Sequence, residues 1–464
     1  MPETGTLRLV AGSAALGLAL SAGSLAAAGP WDNGQRKAER EWAAVREATG
    51  GAHHGDGRAE AGPRAPAAAP SAPGVLVAAG TTASAPDARA LAAALDPLVK
   101  SPALGTAHSA AVVDAATGRL LYGSDEDEQL APASVTKIAT AVAALTALGP
   151  EHRISTPVVR DGSDRLFLVG AGDASLDDAR LKRLASDTAR VLGRGARVAL
   201  AYDTSRFTGP VRHPLGVNPN IAPVTALTVD EGRLDGSDHG PAERSADPAK
   251  AAGERFAELL RDEGVRVDGV KPGKAPGGAD PVAATASPTV AELVERMLTH
   301  SDNDLAESLA RQTALATDEK PDFDGSARAV QAQLDRLDLP GSSRIADGSG
   351  LDRSGRLSAS RLAALLARAA GPDHAALRPA LTGLPVAGFT GTLQKRYGKG
   401  SAGTGLVRAK TGTLTGVNTL AGTVLDTEGR LLSFAFLTSG TTDPQAAQHA
   451  LDTLATKVAA CGCR

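Results

Sequence analysis

Hydrophobic and polar positions divide the chain into segments of different character. Leu9 to Ala28 is uncharged and rich in Ala, Leu and Gly, with Arg8 before it. Ala26-Ala27-Ala28 ahead of Gly29 supplies the small residues of a signal-cleavage site. The run of about 20 residues is also just long enough to cross a bilayer uncleaved. Residues 1–29 therefore read as an export signal or a membrane anchor, and the sequence leaves the two open. Arg36, Lys37 and Arg40 follow, so charge asymmetry fixes no orientation. Residues 30–88 alternate charge with Ala, Pro, Gly and Ser, including Pro63, Pro66, Pro70, Pro73 and Pro86. Such a stretch cannot bury enough apolar surface to offset its ordering entropy, and it reads as a linker.

Regular patterning begins near Arg89. Leu91 and Leu95 mark a short helix over 90–95 that Pro97 should kink or end. Ala110 to Asp114 and Arg119 to Tyr122 flank a turn and read as a hairpin. Ile138, Val142, Leu145 and Leu148 fall at helical spacing, so Val135 to Leu148 reads as a helix stopped by Gly149-Pro150. Strands are expected at 165–170 and 197–202, and an amphipathic helix at 248–263. From about 286 the pattern is mostly helical until Leu406. Three strands close the chain, at 406–411, 417–424 and 430–437. The first hairpin and these last strands can share one antiparallel sheet, with the middle segment inserted into that domain.

Composition narrows the chemistry. With 464 residues, 42% hydrophobic and 22% charged, the chain is long enough for two or three folded units. Aromatics make up only 3%, so the core must rely on Ala, Leu and Val. The net charge of −3 and the lack of a basic stripe argue against a nucleic-acid partner. The two cysteines, Cys461 and Cys463, cannot form a four-ligand zinc site, and the nine histidines show no metal-binding spacing. No metal and no cofactor is expected. A local disulfide and a free thiol pair both remain open.

Three short motifs carry the candidate chemistry. Ser134-Val135-Thr136-Lys137 is an S-x-x-K, and residues three apart are neighbours on a helix. The Lys137 amine can then take the proton of the Ser134 hydroxyl, provided burial or nearby cations keep it neutral. The Ser134 backbone N–H, at a helix start, can donate to a developing oxyanion. Ser301-Asp302-Asn303 lies between two helical patterns. Ser301 can relay a proton between Lys137 and a leaving amine, and Asn303 can hold a substrate amide. The same three residues also suit a plain helix N-cap. Lys410-Thr411-Gly412-Thr413 sits at the end of a strand pattern. Lys410, Thr411 and Thr413 can meet a carboxylate, the Thr413 N–H is a second oxyanion donor, and Gly412 leaves room for a peptide to approach.

Taken together and in this order, the motifs resemble those of β-lactamases and penicillin-binding proteins. The separation from Ser134 to Ser301 is 167 residues (134 to 301), long enough for an inserted unit of about a hundred residues. That gap, with "LFLVGAGDASL", "IADGSGLDRSGRLS" and "VRAKTGTLTGVNTLAG", is similar to the D-alanyl-D-alanine carboxypeptidase/endopeptidase family, the low-molecular-mass class C penicillin-binding proteins. The resemblance implies an α+β fold: a serine β-lactamase/transpeptidase-like domain, an antiparallel sheet flanked by helices, over 89–157 and 286–464. An α/β subdomain over 158–285 would be inserted between the first and second motifs. It implies Ser134 as the acylated serine, Lys137 as its base, and Ser301 as the third catalytic residue. Asn303, Lys410, Thr411 and Thr413 would bind substrate. The substrate would be peptidoglycan stem peptides ending in D-Ala-D-Ala. A D-Ala–meso-diaminopimelate cross-link would be cut by the same chemistry, and β-lactams would act as covalent inhibitors. The protein would work in the cell envelope, associated with the membrane if its N-terminal segment is retained.

Two rivals stand beside this reading. Glu231-Gly232-Arg233-Leu234-Asp235 superficially resembles the E-x-x-L-N of class A β-lactamases, but it precedes the second motif instead of following it, and reads as chance. A wall-binding or β-lactam-sensing protein without catalysis is disfavoured by the intact Ser134 and Lys137.

Overall fold

The computed structural model describes residues 84–463 except 163, 217 and 399. The signal or anchor and nearly all of the linker lie outside the described residues. Among the described residues no helix is long and apolar enough to cross a membrane.

Helix α1 (Ala88–Val99) starts at Asp87, whose carboxylate accepts from the backbone N–H groups of Arg89 and Ala90. It runs through Pro97, two residues beyond where proline was expected to stop it. Only the final turn follows Pro97, so the lost hydrogen bond costs little there. Strands β1 (Ala107–Asp114) and β2 (Leu120–Ser124) form the hairpin, and α2 (Thr136–Leu148) follows a 3-10 turn at Ala133–Val135.

Next come β3 (Arg153–Asp161), β4 (Arg165–Val169), α3 (Asp178–Leu192), β5 (Arg197–Asp203), α4 (Pro248–Asp262), β6 (Arg266–Pro272) and β7 (Asp280–Thr289). These five strands make one sheet in the order β6-β5-β4-β3-β7. The β4–β5 and β5–β6 pairs are parallel, with α3 and α4 as crossovers, and β3 pairs antiparallel with β4 and β7. Its first and last strands in the chain start five residues before and end four after the expected 158–285 segment. The long connection from β5 to α4 contains no strand among its described residues. It packs Phe207, Ile221, Val224 and Ala226 against Leu315, Phe323 and Leu351.

Helices α5 (Val290–His300), α6 (Asn303–Ala316) and α7 (Phe323–Asp335) return the chain to the first unit. A short β8 (Ser343–Arg344) and β9 (Arg356–Leu357) precede α8 (Ala359–Ala370). Strands β10 (Arg408–Leu414), β11 (Val417–Leu425) and β12 (Leu431–Ser439) and helix α9 (Pro444–Ala459) complete it. The first sheet runs β10-β11-β12-β1-β2, antiparallel throughout, as the sequence pattern suggested.

That sheet is covered on both faces. Ala111 and Val113 join the core built around α2, while Ala110 and Val112 join the core beneath α1 and α9. In register, Ala111 faces Ala435, which faces Ala421, so three small side chains meet the helices on the α2 side. The stacked pair Phe434 and Phe436 fills the other side, with ring centroids 5.2 Å apart. Helix α2 is buried from Thr136 to Leu145, including Lys137. A helix enclosed all round is a rigid mount for whatever stands at its N-terminus. Asp114 and Arg430 lock the end of β1 to the start of β12 by a buried ion pair of 2.6 Å.

Cys461 and Cys463 are bonded to each other beside α1 and α9, on the face of the sheet away from α2. The backbone N–H of Asp87 donates to the Cys463 carbonyl at 2.9 Å, tying the two ends of the described chain together.

Candidate active site

Ser134 sits in the 3-10 turn that leads into α2, after Ala133 with a φ of 50°. Two glycines allow that turn to be held closely. A Cβ on Gly412 would lie 2.9 Å from the Pro132 carbonyl oxygen and 3.0 Å from the Ser134 nitrogen. One on Gly350 would run into the Ala133 carbonyl. The Gly412 Cβ would meet the Thr419 hydroxyl first, so Gly412 leaves room for the groups that hold the serine turn. The Thr419 hydroxyl donates to the Pro132 carbonyl at 2.9 Å and finishes the clamp.

Lys137 Nζ has three partners: Ser134 Oγ at 3.0 Å, Asn303 Oδ1 at 2.6 Å and the Ser349 carbonyl at 2.7 Å. The side chain is fully buried, and loss of hydration pushes its pKa down to about 8 against the opposing pull of Asp347, Glu307, Asp302 and Asp304. At neutral pH roughly a tenth of such an amine is unprotonated, against far less for a lysine in water. Burial supplies the depression the sequence required; nearby carboxylates oppose it.

Ser301 caps α5 in the left-handed region at φ 59°, and its Oγ accepts from Lys410 Nζ at 2.9 Å. No direct hydrogen bond joins Ser301 to Lys137; Asn303 stands at Lys137 instead. Asp302 is the N-cap of α6, accepting from the Leu305 N–H at 3.0 Å. The second motif is thus an active-site loop and a helix cap at once. Asn303 Nδ2 donates to the Asn220 carbonyl at 2.8 Å, a contact with the inserted segment.

Lys410 lies inside β10, because the strand begins and ends later than its alternation indicated. Its Nζ also donates to the Thr411 carbonyl at 2.8 Å, and among the described residues it has no carboxylate partner. Burial, with the charge of Lys137 adding to it, holds its pKa well below the ordinary lysine range. Thr411 Oγ1 donates to Thr392 Oγ1 at 2.8 Å. Ser134, Ser301, Asn303 and Thr413 line a cleft of about 270 Å³, closed on one side by Asn220 and Pro241 from the inserted segment. A larger open groove of about 790 Å³, between α7 and the 343–354 segment, holds none of the motif residues.

Several residues that no motif marked support this centre. Asp347 accepts from the backbone N–H groups of Gly350 at 2.6 Å and Asp352 at 2.7 Å, shaping the turn whose Ser349 carbonyl holds Lys137. Glu307 accepts from the Ser349 N–H at 2.9 Å. Glu307 follows Asn303 by one helical turn, a spacing that could have drawn attention to it. His213, from the inserted segment, meets Asp347 at 3.0 Å. Burial acts to lower its pKa, but the Asp347 hydrogen bond and the Glu307 charge carry it above the ordinary histidine value. Nothing local in the sequence announces His213, Thr392 or Asn220.

The D-Ala-D-Ala carboxypeptidase 3 (S13) family model matches residues 91–239 and 235–458. The carboxypeptidase Rv3627c of Mycobacterium tuberculosis is 37% identical over 432 residues, covering 87% of this chain and 91% of that protein. The D-alanyl-D-alanine carboxypeptidase of Actinomadura sp. (strain R39) is 30% identical over 439 residues, covering 75% of this chain and 81% of that protein. Among solved structures, penicillin-binding protein 4 (dacB) of Haemophilus influenzae superposes with a TM-score of 0.66 at 21% identity, over 78% of this chain and 97% of that one. That likeness shows the serine transpeptidase-like fold.

Proposed function

The chain belongs to the D-Ala-D-Ala carboxypeptidase 3 (S13) family, and from that premise we propose that it is a serine D,D-peptidase that removes the terminal D-Ala of peptidoglycan stem peptides in the cell envelope. The observation that carries the reading is the buried pair of amines. Lys137 is on the Ser134 hydroxyl and Lys410 on the Ser301 hydroxyl, and both serines line the same cleft.

In the proposed reaction neutral Lys137 takes the Ser134 proton as Oγ attacks the carbonyl of the penultimate D-Ala. The backbone N–H groups of Ser134 and Thr413 face the oxyanion that forms. Ser301 passes its proton to the departing amine and takes a replacement from the Lys137 ammonium, and the terminal D-Ala leaves. Water then attacks the acyl-enzyme, with the proton returning along the same groups. Lys410 supports the choice of substrate. A buried amine with no acidic partner costs free energy to keep charged. A substrate carboxylate beside Lys410, Thr411 and Thr413 supplies the missing counter-charge. Asn303 would turn from Lys137 or Asn220 to the stem's amide. β-Lactams enter by the same attack, and their ring fragment stays attached and blocks the water.

Purified protein and its Ser134→Ala variant, each given stem pentapeptides and cross-linked dimers, test the reading. Ser134-dependent release of D-Ala from the monomer is expected; absence of both D-Ala release and cross-link cleavage would overturn it. Cleavage of the dimer in the same assay would add endopeptidase activity through the same acyl-enzyme.

A further inference from the structure

Lys137 acts as a base only when its lone pair faces Ser134. A neutral amine has two N–H bonds and one lone pair. Asn303 Oδ1 at 2.6 Å and the Ser349 carbonyl at 2.7 Å can only accept, so they take the N–H bonds. The lone pair is left pointing at Ser134 Oγ, 3.0 Å away. The Ser349 carbonyl therefore aims the base, and whatever fixes the turn from Asp347 to Gly350 fixes the aim. Side chains from other elements hold that turn. The Thr140 hydroxyl of α2 donates to the Gly348 carbonyl at 2.7 Å. Glu307 of α6 accepts from the N–H groups of Gly348 at 3.3 Å and Ser349 at 2.9 Å. A further hold comes from the inserted segment, where His213 Nε2 lies 3.0 Å from Asp347 Oδ2.

His213 is 3% exposed, and its ring meets Phe323 of α7 edge-on with centroids 5.4 Å apart. Its Nδ1 accepts from the Leu215 N–H at 3.3 Å, so the ring hydrogen of the neutral form sits on Nε2. In either charge state Nε2–H donates to Asp347. The Ser349 hydroxyl at 3.1 Å and the N–H groups of Gly350 and Asp352 also donate to Asp347, but they belong to the turn and the residues just after it. They close the turn without fixing where it stands. His213 supplies an outside reference, and it is itself anchored. Fully buried Arg311 of α6 donates to the carbonyls of Thr208 and Pro210 on one side of it in the chain. On the other side, Asn303 donates to the Asn220 carbonyl and Asp304 accepts from the Ala222 N–H at 2.9 Å.

We propose that His213 is a positioning residue of the peptidase reaction: its Nε2–H holds Asp347, and through Asp347 the Ser349 carbonyl, so that the Lys137 lone pair stays on Ser134. The inference rests on the peptidase reading of the site. His213 is not among the described residues that line the cleft, so it acts on the base and not on the substrate. The direction of its effect follows from the charges. Burial depresses the Lys137 pKa to about 8, and Asp347 is the foremost of the carboxylates that oppose burial, ahead of Glu307, Asp302 and Asp304. Lys410 of β10 is the neighbouring cation. His213 itself faces Asp347 and Asp352 on one side and Glu307 of α6 on the other. Without the His213 donor the Asp347 carboxylate is less well compensated. It then draws Lys137 toward the ammonium and raises its pKa.

Full-length wild type, His213→Ala and His213→Gln are compared in the second-order rate of acylation by benzylpenicillin from pH 6 to 10, and in kcat and KM for a D-Ala-D-Ala peptide. His213→Ala should acylate about tenfold more slowly at pH 7. The midpoint of its pH profile should lie about half a unit or more above that of wild type. Its kcat should fall while KM stays within about twofold. The glutamine Nε2 can occupy the place of the ring Nε2 and still donate, so His213→Gln should keep the wild-type midpoint and a rate within about threefold of wild type. In nitrogen-15 histidine-labelled wild type, NMR should detect a slowly exchanging Nε2–H proton that His213→Gln lacks. The inference is overturned if the His213→Ala midpoint is unmoved, if its loss lies in KM, if His213→Gln is as slow as His213→Ala, or if the proton is missing. Should His213→Ala not fold, the His213→Gln profile and the Nε2–H proton decide. Failure of the wild type to acylate at Ser134 overturns the peptidase reading instead, and the proton then judges the His213–Asp347 contact by itself.

Discussion

Acylation of Ser134 should accelerate as the pH rises from 6 to 8, because the reactive form of Lys137 is the neutral one. Its pKa of about 8 follows from complete burial, which outweighs four neighbouring carboxylates. The unprotonated fraction is then roughly 1% at pH 6, a tenth at pH 7 and a half at pH 8. The sign is fixed by the chemistry: acid protonates the base and silences it. The rate of acylation by a subsaturating chromogenic cephalosporin, followed by stopped flow, should therefore climb about fifty-fold between pH 6 and 8. An ordinary lysine would still be rising tenfold per pH unit at pH 9 and beyond. Lys137→Arg gives the control, since a guanidinium does not deprotonate in this range. That variant should lose the pH-dependent rise and about 10²–10⁴-fold in rate, the span expected for a lost general base. A flat wild-type profile from pH 6 to 8, or a Lys137→Arg rate within tenfold of wild type, would refute the assignment of Lys137 as the base.

Further consequences can be checked singly. Gly412→Ala drives a methyl group into the Thr419 hydroxyl and against the Pro132 carbonyl and Ser134 nitrogen, and should cost about 1–3 kcal/mol in thermal unfolding while nearly abolishing acylation. Asp114→Ala removes the carboxylate facing buried Arg430 and should cost about 3–5 kcal/mol in denaturant melts. Burial acts to raise the Asp114 pKa, but hydrogen bonds from Arg430 and Thr117 hold it below the ordinary value. The stability it contributes is therefore present above the usual carboxylate range and lost as the pH falls through its folded pKa, a loss Asp114→Ala should not show. Thr392→Val deletes the hydroxyl that meets Thr411. It should raise KM for a D-Ala-D-Ala peptide by about fivefold, the worth of one hydrogen bond, with little change in kcat.

The outer parts of the fold were legible because their signals are local. The apolar spacing of Ile138, Val142 and Leu145 marks α2, and the β-rich runs at each end of the folded region mark the strands that pair in the first sheet. Other elements left no such trace. Strands β6 and β7 carry Pro272, Pro281 and Pro288 and few large apolar side chains, so no alternation announces them; they form as neighbours of β5 and β3. Glu231 shows the same limit at the level of one residue. The Arg296 side chain that meets its buried carboxylate stands far along the chain and arrives only on folding.

What the sequence determined by itself is the set of reactive groups and their order. Ser134 one helical turn from Lys137, a polar triplet between two helices and a lysine on a late strand all follow from local periodicity, which depends on neighbours within a few residues. What only the tertiary structure decided is the state of those groups. The pKa of Lys137 is set by the absence of water around it, and its direction by Asn303 and Ser349. The room that Gly412 leaves is taken by the Thr419 hydroxyl and the backbone of Pro132 and Ser134. The closing of the cleft by Asn220 and Pro241 is set by a segment inserted between the motifs. Burial and long-range contact are sums over the whole fold, and no short stretch of sequence contains them.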